Sequence, residues 1–247
     1  MLRENKILFN LYQIYKIFIF YPLLGLNTAL LVTISTPIFI LFGDKPGKFI
    51  GSLWAKINAF GTPMFVKTYH RDKMDPKQSY VIVSNHQSQF DIFVVYGFLK
   101  RDFRWVMKME LRKVPFLGYW CYKAGHVYVD RSNHEKAIAS IESAKKRIIN
   151  GISILFFPEG TRSDTGELIP FKKGAFKFAL DLDLPILPIT IVGSKNILPN
   201  NSTDLFPGKA KLIINDPIPI KGYTEENIQE LMDKASQSIE KSLHEYA

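Results

Sequence analysis

The stretch Ser84-Asn85-His86-Gln87-Ser88-Gln89-Phe90-Asp91 places an imidazole and a carboxylate five residues apart, directly after the apolar run Tyr80-Val81-Ile82-Val83. The pair reads as a general base with its orienting acid. A neutral imidazole takes a proton from a hydroxyl near pH 7, and a carboxylate on its other nitrogen fixes the tautomer and stabilises the imidazolium that forms. Residues five apart turn through about 140° on an α-helix, so a continuous helix would hold the two side chains on different faces. A turn must intervene. The expected form is a strand ending at Ser84, a loop from Asn85 to Phe90, and a helix opening near Asp91, where the apolar run Ile92 to Leu99 begins and a carboxylate suits a helix N-terminus. Taken alone, the same residues also read as a loop histidine and an ordinary N-cap.

A second polar cluster, Phe157-Pro158-Glu159-Gly160-Thr161-Arg162-Ser163, follows another apolar run, Ile152-Ser153-Ile154-Leu155-Phe156. In open α/β sheets ligands gather outside the carboxyl ends of the strands, so the two clusters are expected to face one site. The Arg162 fork matches a phosphate bidentately, and Gly160 allows close backbone approach to an anion. A lone E-G-T-R would instead read as a turn with a solvated ion pair between Glu159 and Arg162. Its company with His86 and Asp91 argues for the site.

With these motifs in this order, the chain resembles the glycerolipid acyltransferase family, specifically the 1-acylglycerol-3-phosphate (lysophosphatidate) acyltransferases. Asn85-His86 to Asp91 matches N-H-x-x-x-x-D, and Phe157 to Ser163 matches F-P-E-G-T-R-S. Gly125-His126-Val127-Tyr128-Val129-Asp130-Arg131 is similar to the family's glycine, aromatic and arginine block. Leu184-Pro185-Ile186-Leu187-Pro188-Ile189 looks like its V-P-I-x-P-V block, and Lys108 to Gly118 and Phe171-Lys172-Lys173-Gly174 are also similar. The likeness spans about Tyr80 to Ile191.

The resemblance implies transfer of a fatty acyl group from an acyl-CoA or acyl carrier protein thioester to the 2-hydroxyl of a lysophosphatidate, giving phosphatidate. It implies His86 as base and Asp91 as orienter. Glu159, Gly160, Thr161 and Arg162 fall to the acceptor's phosphate loop, with Arg162 the principal ligand and Arg131 a second cation. Pro185 and Pro188 are associated with the acyl donor or are structural, since proline in a strand usually marks an edge or a bulge. Other acceptors fit the same motifs: glycerol 3-phosphate, another lysophospholipid or a lyso-aminolipid. A noncatalytic lipid-binding protein of the same fold is the alternative from another class. Direct attack by the acceptor is favoured over an acyl-enzyme, because no G-x-S-x-G elbow occurs and the single cysteine, Cys121, has no histidine partner in sequence reach.

A net charge of +9, from 32 basic and 23 acidic residues, implies anionic partners. The basic residues are dispersed, without zinc-finger spacing or an RNA-binding signature, which disfavours nucleic acid. One cysteine excludes an internal disulfide framework and suits a reducing compartment. No H-E-x-x-H or C-x-x-C arrangement supports a metal, and no cofactor beyond the thioester co-substrate is expected. His126 reads as a satisfied structural residue within a strand.

Ile17 to Phe42 contains no charged residue. Pro22 and Pro37 bound a core of only 14 residues, Leu23 to Thr36, interrupted by Gly25 and Asn27. Lysines and arginine flank both sides. The expectation is a helical hairpin that dips into one leaflet from the cytoplasmic face and returns, held by an anionic membrane surface. The expected organisation is therefore residues 1–60 as a membrane-associated helical segment and residues 61–247 as an α/β domain. In that domain, strands are expected at Tyr80–Ser84, Phe103–Met107, His126–Val129, Ile152–Phe157, Ile186–Val192 and Ala210–Asn215. Apolar residues at helical spacing lie between them, and a final amphipathic helix follows Thr224. This βα alternation argues for a largely parallel sheet covered by helices. Asn196 to Gly208 reads as a connecting surface loop.

Overall fold

A computed structural model describes residues 5–130, 134–145, 148 and 151–247. Its strands are β1 (Met64–Tyr69), β2 (Val81–Ser84), β3 (Phe103–Lys108), β4 (Val127–Val129), β5 (Ser153–Phe156), β6 (Ile186–Val192) and β7 (Gly208–Ile214). They form one sheet in the order β1-β7-β6-β2-β5-β3-β4. Neighbours run parallel throughout except β6 with β7. The largely parallel sheet expected from the sequence is therefore present. The six expected strands form within about two residues of their expected ends, and β1 is an addition.

Alternate residues of each inner strand enter different layers, as the two-residue period of a strand requires. Ile82, Leu155 and Leu187 pack with side chains of α2 (Tyr21–Phe42), α3 (Gly47–Gly61), α4 (Asp91–Phe98) and α5 (Leu117–Lys123). Val81, Val83, Ile154 and Ile186 pack in the opposite layer with α6 (His134–Lys145), α7 (Gly174–Leu182) and α8 (Ile228–Glu245). Both faces of the sheet are covered, so these strands are mostly apolar on both faces, with Ser84, Ser153 and Thr190 as buried polar exceptions.

The N-terminal prolines do not break the helix. α1 (Lys6–Tyr15) runs through a π-helical turn at Lys16–Phe20 into α2, giving one apolar helix from Lys6 to Phe42. The wider turn precedes Pro22, with the Tyr21 amide bonded five residues back to the Lys16 carbonyl. That loosening accommodates a ring that would otherwise crowd the preceding carbonyl. Pro37 sits inside α2, where the Thr33 and Thr36 hydroxyls donate to the Ala29 and Val32 carbonyls. The helix thus runs past both prolines, the reversal falls at residues 43–46, and α3 completes a hairpin with α2.

This hairpin is fastened to the sheet domain. Arg104 on β3 is buried and donates to Asp44 in the hairpin turn at 2.8 Å and to Asp102 at 2.6 Å. Small residues at four-residue intervals, Gly47, Gly51, Ala55 and Ala59, are buried along α3. A Cβ on Gly51 would lie 2.3 Å from the Tyr96 ring, so only glycine allows α3 to lie this close to α4. On α1, Tyr12 and Tyr15 donate to the Thr62 and Gly61 carbonyls at 3.0 and 2.7 Å. The connector after β6 is tied to the same helix: Gln13 exchanges two hydrogen bonds with the Leu205 backbone, and Lys16 donates to the Thr203 carbonyl at 2.7 Å.

Candidate active site

β2 and β5 are adjacent and parallel, with Val83 opposite Phe156. Two loops more than 70 residues apart in sequence therefore emerge side by side at the carboxyl ends of their strands. The Ser163 amide donates to the His86 carbonyl at 2.8 Å, joining them. Asn85 anchors the first loop on its other side: its amide accepts from Ile191 N at 2.8 Å and donates to Ile191 O at 2.9 Å. This side chain thus mimics a strand residue against β6.

His86 Nδ1 lies 2.8 Å from Asp91 Oδ2. Asp91 opens α4, and the same oxygen accepts from the Gln87 and Ser88 amides at 2.7 and 2.9 Å. The turn expected between the two residues is what brings them together, and Asp91 is buried. The imidazole stacks on Phe157, with ring centroids 3.9 Å apart and planes 12° from parallel. With Nδ1 committed to Asp91, Nε2 is the nitrogen without a hydrogen-bond partner among the described residues. That arrangement suits proton abstraction.

Glu159 is buried and clamps the two loops. One oxygen accepts from the His86 amide at 2.6 Å and the other from the Ile169 amide at 3.0 Å. Burial and the nearby Asp91 carboxylate push its carboxyl up to about 7, against the two amides, which pull it down. Glu159 does not line the cavity, so the loop shaping expected of it takes the form of an internal brace. Gly160 adopts a φ of +76°, and a Cβ there would lie 2.8 Å from Lys172 Nζ.

His86, Gly160, Thr161 and Arg162 line one cavity of about 260 Å³. The Arg162 guanidinium has no hydrogen bond or ion pair among the described residues, so the ion pair with Glu159 that a lone E-G-T-R would suggest does not form. Lys108 lines the same cavity. Away from these polar groups the lining is mainly apolar, with Thr28 and His126 as exceptions, and α2 and α3 supply Leu31, Val32, Ile50 and Trp54. That contribution went unread in the sequence; the four-residue stripe of small residues in α3 was the available signal.

Arg131 lies outside the described residues. Pro185 and Pro188 do not line the cavity. Their carbonyls accept from the Val81 and Asn215 amides, each at 3.0 Å. Contrary to the edge or bulge expected, β6 lies inside the sheet. Pro188 is tolerated because it sits just beyond the β6–β7 ladder, which ends at Ile189 opposite Ile214, so its missing N–H costs only a terminal bond.

Neither Ser88 nor Cys121 is set up as a nucleophile. Ser88 Oγ donates to the Leu198 carbonyl at 2.7 Å. Desolvation raises the Cys121 thiol to about 12. His126 is held between Tyr96 Oη at 2.9 Å and the Trp105 amide at 3.3 Å, and burial, aided by Arg104, lowers it to about 3. It is the structural histidine expected from the sequence.

A parallel α/β sheet that brings a histidine–aspartate pair and an unpaired arginine to one apolar cavity has the fold and site of an acyltransferase. The acyltransferase family profile matches residues 65–192, just over half of the chain. The chain belongs to that family. It is 33% identical over 187 residues to a 1-acyl-sn-glycerol-3-phosphate acyltransferase of Haemophilus influenzae, covering 74% of this chain and 77% of that protein. It is 29% identical over 228 residues to one of Chlamydomonas reinhardtii, covering 90% and 66%, and 31% identical over 165 residues to the human alpha form, covering 66% and 58%. The chain thus spans somewhat under two thirds of two of these relatives. The crystal structure of the 1-acyl-sn-glycerophosphate acyltransferase PlsC from Thermotoga maritima superposes with a TM-score of 0.74 at 25% identity, covering 91% of this chain and 95% of that one.

Proposed function

We propose that this chain transfers a fatty acyl group from an acyl-CoA or acyl carrier protein thioester to the 2-hydroxyl of 1-acylglycerol 3-phosphate, forming phosphatidate. The observation that carries the reading is that His86 and Arg162 line the same cavity. The acceptor's hydroxyl gives its proton to His86 Nε2 as its oxygen attacks the thioester carbonyl. The tetrahedral intermediate then collapses, the carbon–sulfur bond breaks, and the imidazolium returns the proton to the departing thiolate. Asp91 stabilises the imidazolium throughout. Arg162 holds the acceptor's phosphate, with Lys108 beside it, and the apolar remainder of the cavity takes an acyl chain. The names of the relatives favour this acceptor over glycerol 3-phosphate or a lyso-aminolipid.

The long N-terminal helix and α3 embed in one leaflet at the cytoplasmic face on this reading. One side of the hairpin packs on the sheet domain through Val32, Phe39, Ile50 and Ala55, while Ile34, Ile40, Leu41 and Phe49 remain exposed. A helix covered by protein along one side is built to lie against a bilayer in company with its domain. The test is thiol release by the purified chain from acyl-CoA and from acyl carrier protein thioesters, across a panel of acceptors. Release with lysophosphatidate in preference to glycerol 3-phosphate and neutral lysophospholipids is expected. Release with none of them would leave a lipid-binding protein.

A further inference from the structure

Among the described residues, exposed large hydrophobic side chains occur in two stretches only. One comprises the N-terminal helices and Phe65 on β1. The other is Val114, Phe116, Tyr119 and Tyr122, running from the 3₁₀ turn Met109–Lys113 into α5. Phe116 is 55%, Tyr119 47% and Tyr122 51% exposed. Basic residues are interleaved with these rings. The Arg112 guanidinium lies 4.9 Å from the centroid of Tyr122, and the Lys123 ammonium 5.6 Å from that of Tyr119. Aromatic rings paired with cations at one level are the composition of a membrane–water boundary.

Phe116 adopts φ 61° and ψ −56°. A bulky residue in that region costs free energy, and its exposed ring gains little from packing in return. The inner side of the segment is fixed, since Leu111, Leu117 and Trp120 line the cavity and Tyr128 Oη donates to the Gly118 carbonyl at 2.9 Å. The aromatic edge is therefore held outward by a rigid support. It adjoins the N-terminal apolar surface: Trp120 packs on Phe39 with centroids 5.8 Å apart, and the next residues of α2, Ile40, Leu41 and Phe42, are exposed.

We propose that residues 112–123 form an aromatic and basic wedge that sits in the headgroup region of an anionic bilayer, beside the exposed end of α2, and that lipid acceptors pass along it into the cavity. The proposal rests on the reading of that cavity as a lipid acceptor site. Arg112, Lys113 and Lys123 complement anionic lipid, whereas a second copy of the chain would bring the same charges face to face. The wedge is separate in sequence from the N-terminal hairpin but adjoins it in space, so the two form one continuous membrane-facing surface beside the cavity.

The test uses the full chain carrying Phe116→Cys labelled with an environment-sensitive nitrobenzoxadiazole dye; the native Cys121, buried but lining the cavity, is replaced by Ala in each labelled chain. A chain labelled at Lys234→Cys on α8, in the opposite layer of the sheet, is the control. Phosphatidylglycerol vesicles should shift emission at position 116 to the blue, phosphatidylcholine vesicles should do so less, and position 234 should not respond. Phe116→Ala with Tyr119→Ala should lower partition into phosphatidylglycerol vesicles about tenfold. It should lower kcat/KM on vesicle-borne lysophosphatidate in step, while leaving kcat/KM on a monomeric short-chain acceptor unchanged. Water-like emission at position 116 on a vesicle-bound chain would overturn the proposal, as would unchanged partition of the double variant. So would a dimer that the double variant dissolves, which would assign the face to a second copy. Absence of acyl transfer by the parent chain on either acceptor would count against the cavity reading, and the emission at position 116 would still decide the wedge.

Discussion

The two layers on either side of the sheet are built differently. The layer of α6, α7 and α8 has a core filled by Phe176, Phe178, Leu231, Ala235 and Ile239, and these helices carry no buried unpartnered side-chain polar atom among the described residues. The layer of α2 to α5 holds the cavity, and it leaves Asp91 Oδ1, Trp105 Nε1 and Trp120 Nε1 buried without partners. Buried polar groups left unpaired cost free energy, so one layer is arranged for stability and the other gives up some of it for a site. The sheet lets a single chain do both, because alternate residues of each strand serve opposite layers.

The contrast can be broken or sharpened by substitution. The largest effect is expected from His86→Ala, which should lower turnover by roughly 10² to 10⁴-fold while leaving the melting temperature near that of the parent. Phe178→Ala should do the converse, destabilising the fold by about 3–5 kcal/mol in denaturant titrations with KM unchanged for the folded fraction. If Phe178→Ala altered acceptor selectivity instead, the division between the layers would fail. Arg162→Ala should lower kcat/KM on phosphate-bearing acceptors about 10 to 100-fold, the range expected for losing hydrogen bonds to a charged group, and leave a neutral acceptor indifferent.

The smallest expected effect concerns pH. The unfolded chain releases the Glu159 proton near 4.5, whereas the folded chain holds it until about 7. Rising pH between those values therefore favours the unfolded chain at this position. Stability measured across that range should decline more steeply in the parent than in Glu159→Gln; an identical slope would remove the carboxyl from the account.

The contrast between layers also decides what was legible in the sequence. Strand periodicity and motif position located β2 and β5, and with them His86, Asp91 and Arg162, because polar clusters directly follow apolar runs. β1 escaped because it lies at the sheet edge after Pro63 and carries Lys67 and an exposed Phe65. α3 falls almost wholly within the helical segment expected over residues 1–60, but its close packing against α4, signalled by Gly47, Gly51, Ala55 and Ala59, was not read. Pro22 and Pro37 made the apolar helix read as a core of only 14 residues, since a π-helical turn and intrahelical hydroxyl bonds accommodate rings that sequence rules treat as breaks. The brace formed by Glu159 and the strand mimicry of Asn85 depend on β2, β5 and β6 being neighbours, which no local pattern specifies.

The most direct test of the central claim is a structure of the chain with a non-reactive lysophosphatidate analogue whose 2-hydroxyl is retained. The account predicts the phosphate on the Arg162 guanidinium and the hydroxyl within about 2.6–3.2 Å of His86 Nε2, one glycerol unit joining them. An analogue whose phosphate binds away from Arg162 while its hydroxyl reaches His86, or the reverse, would contradict it.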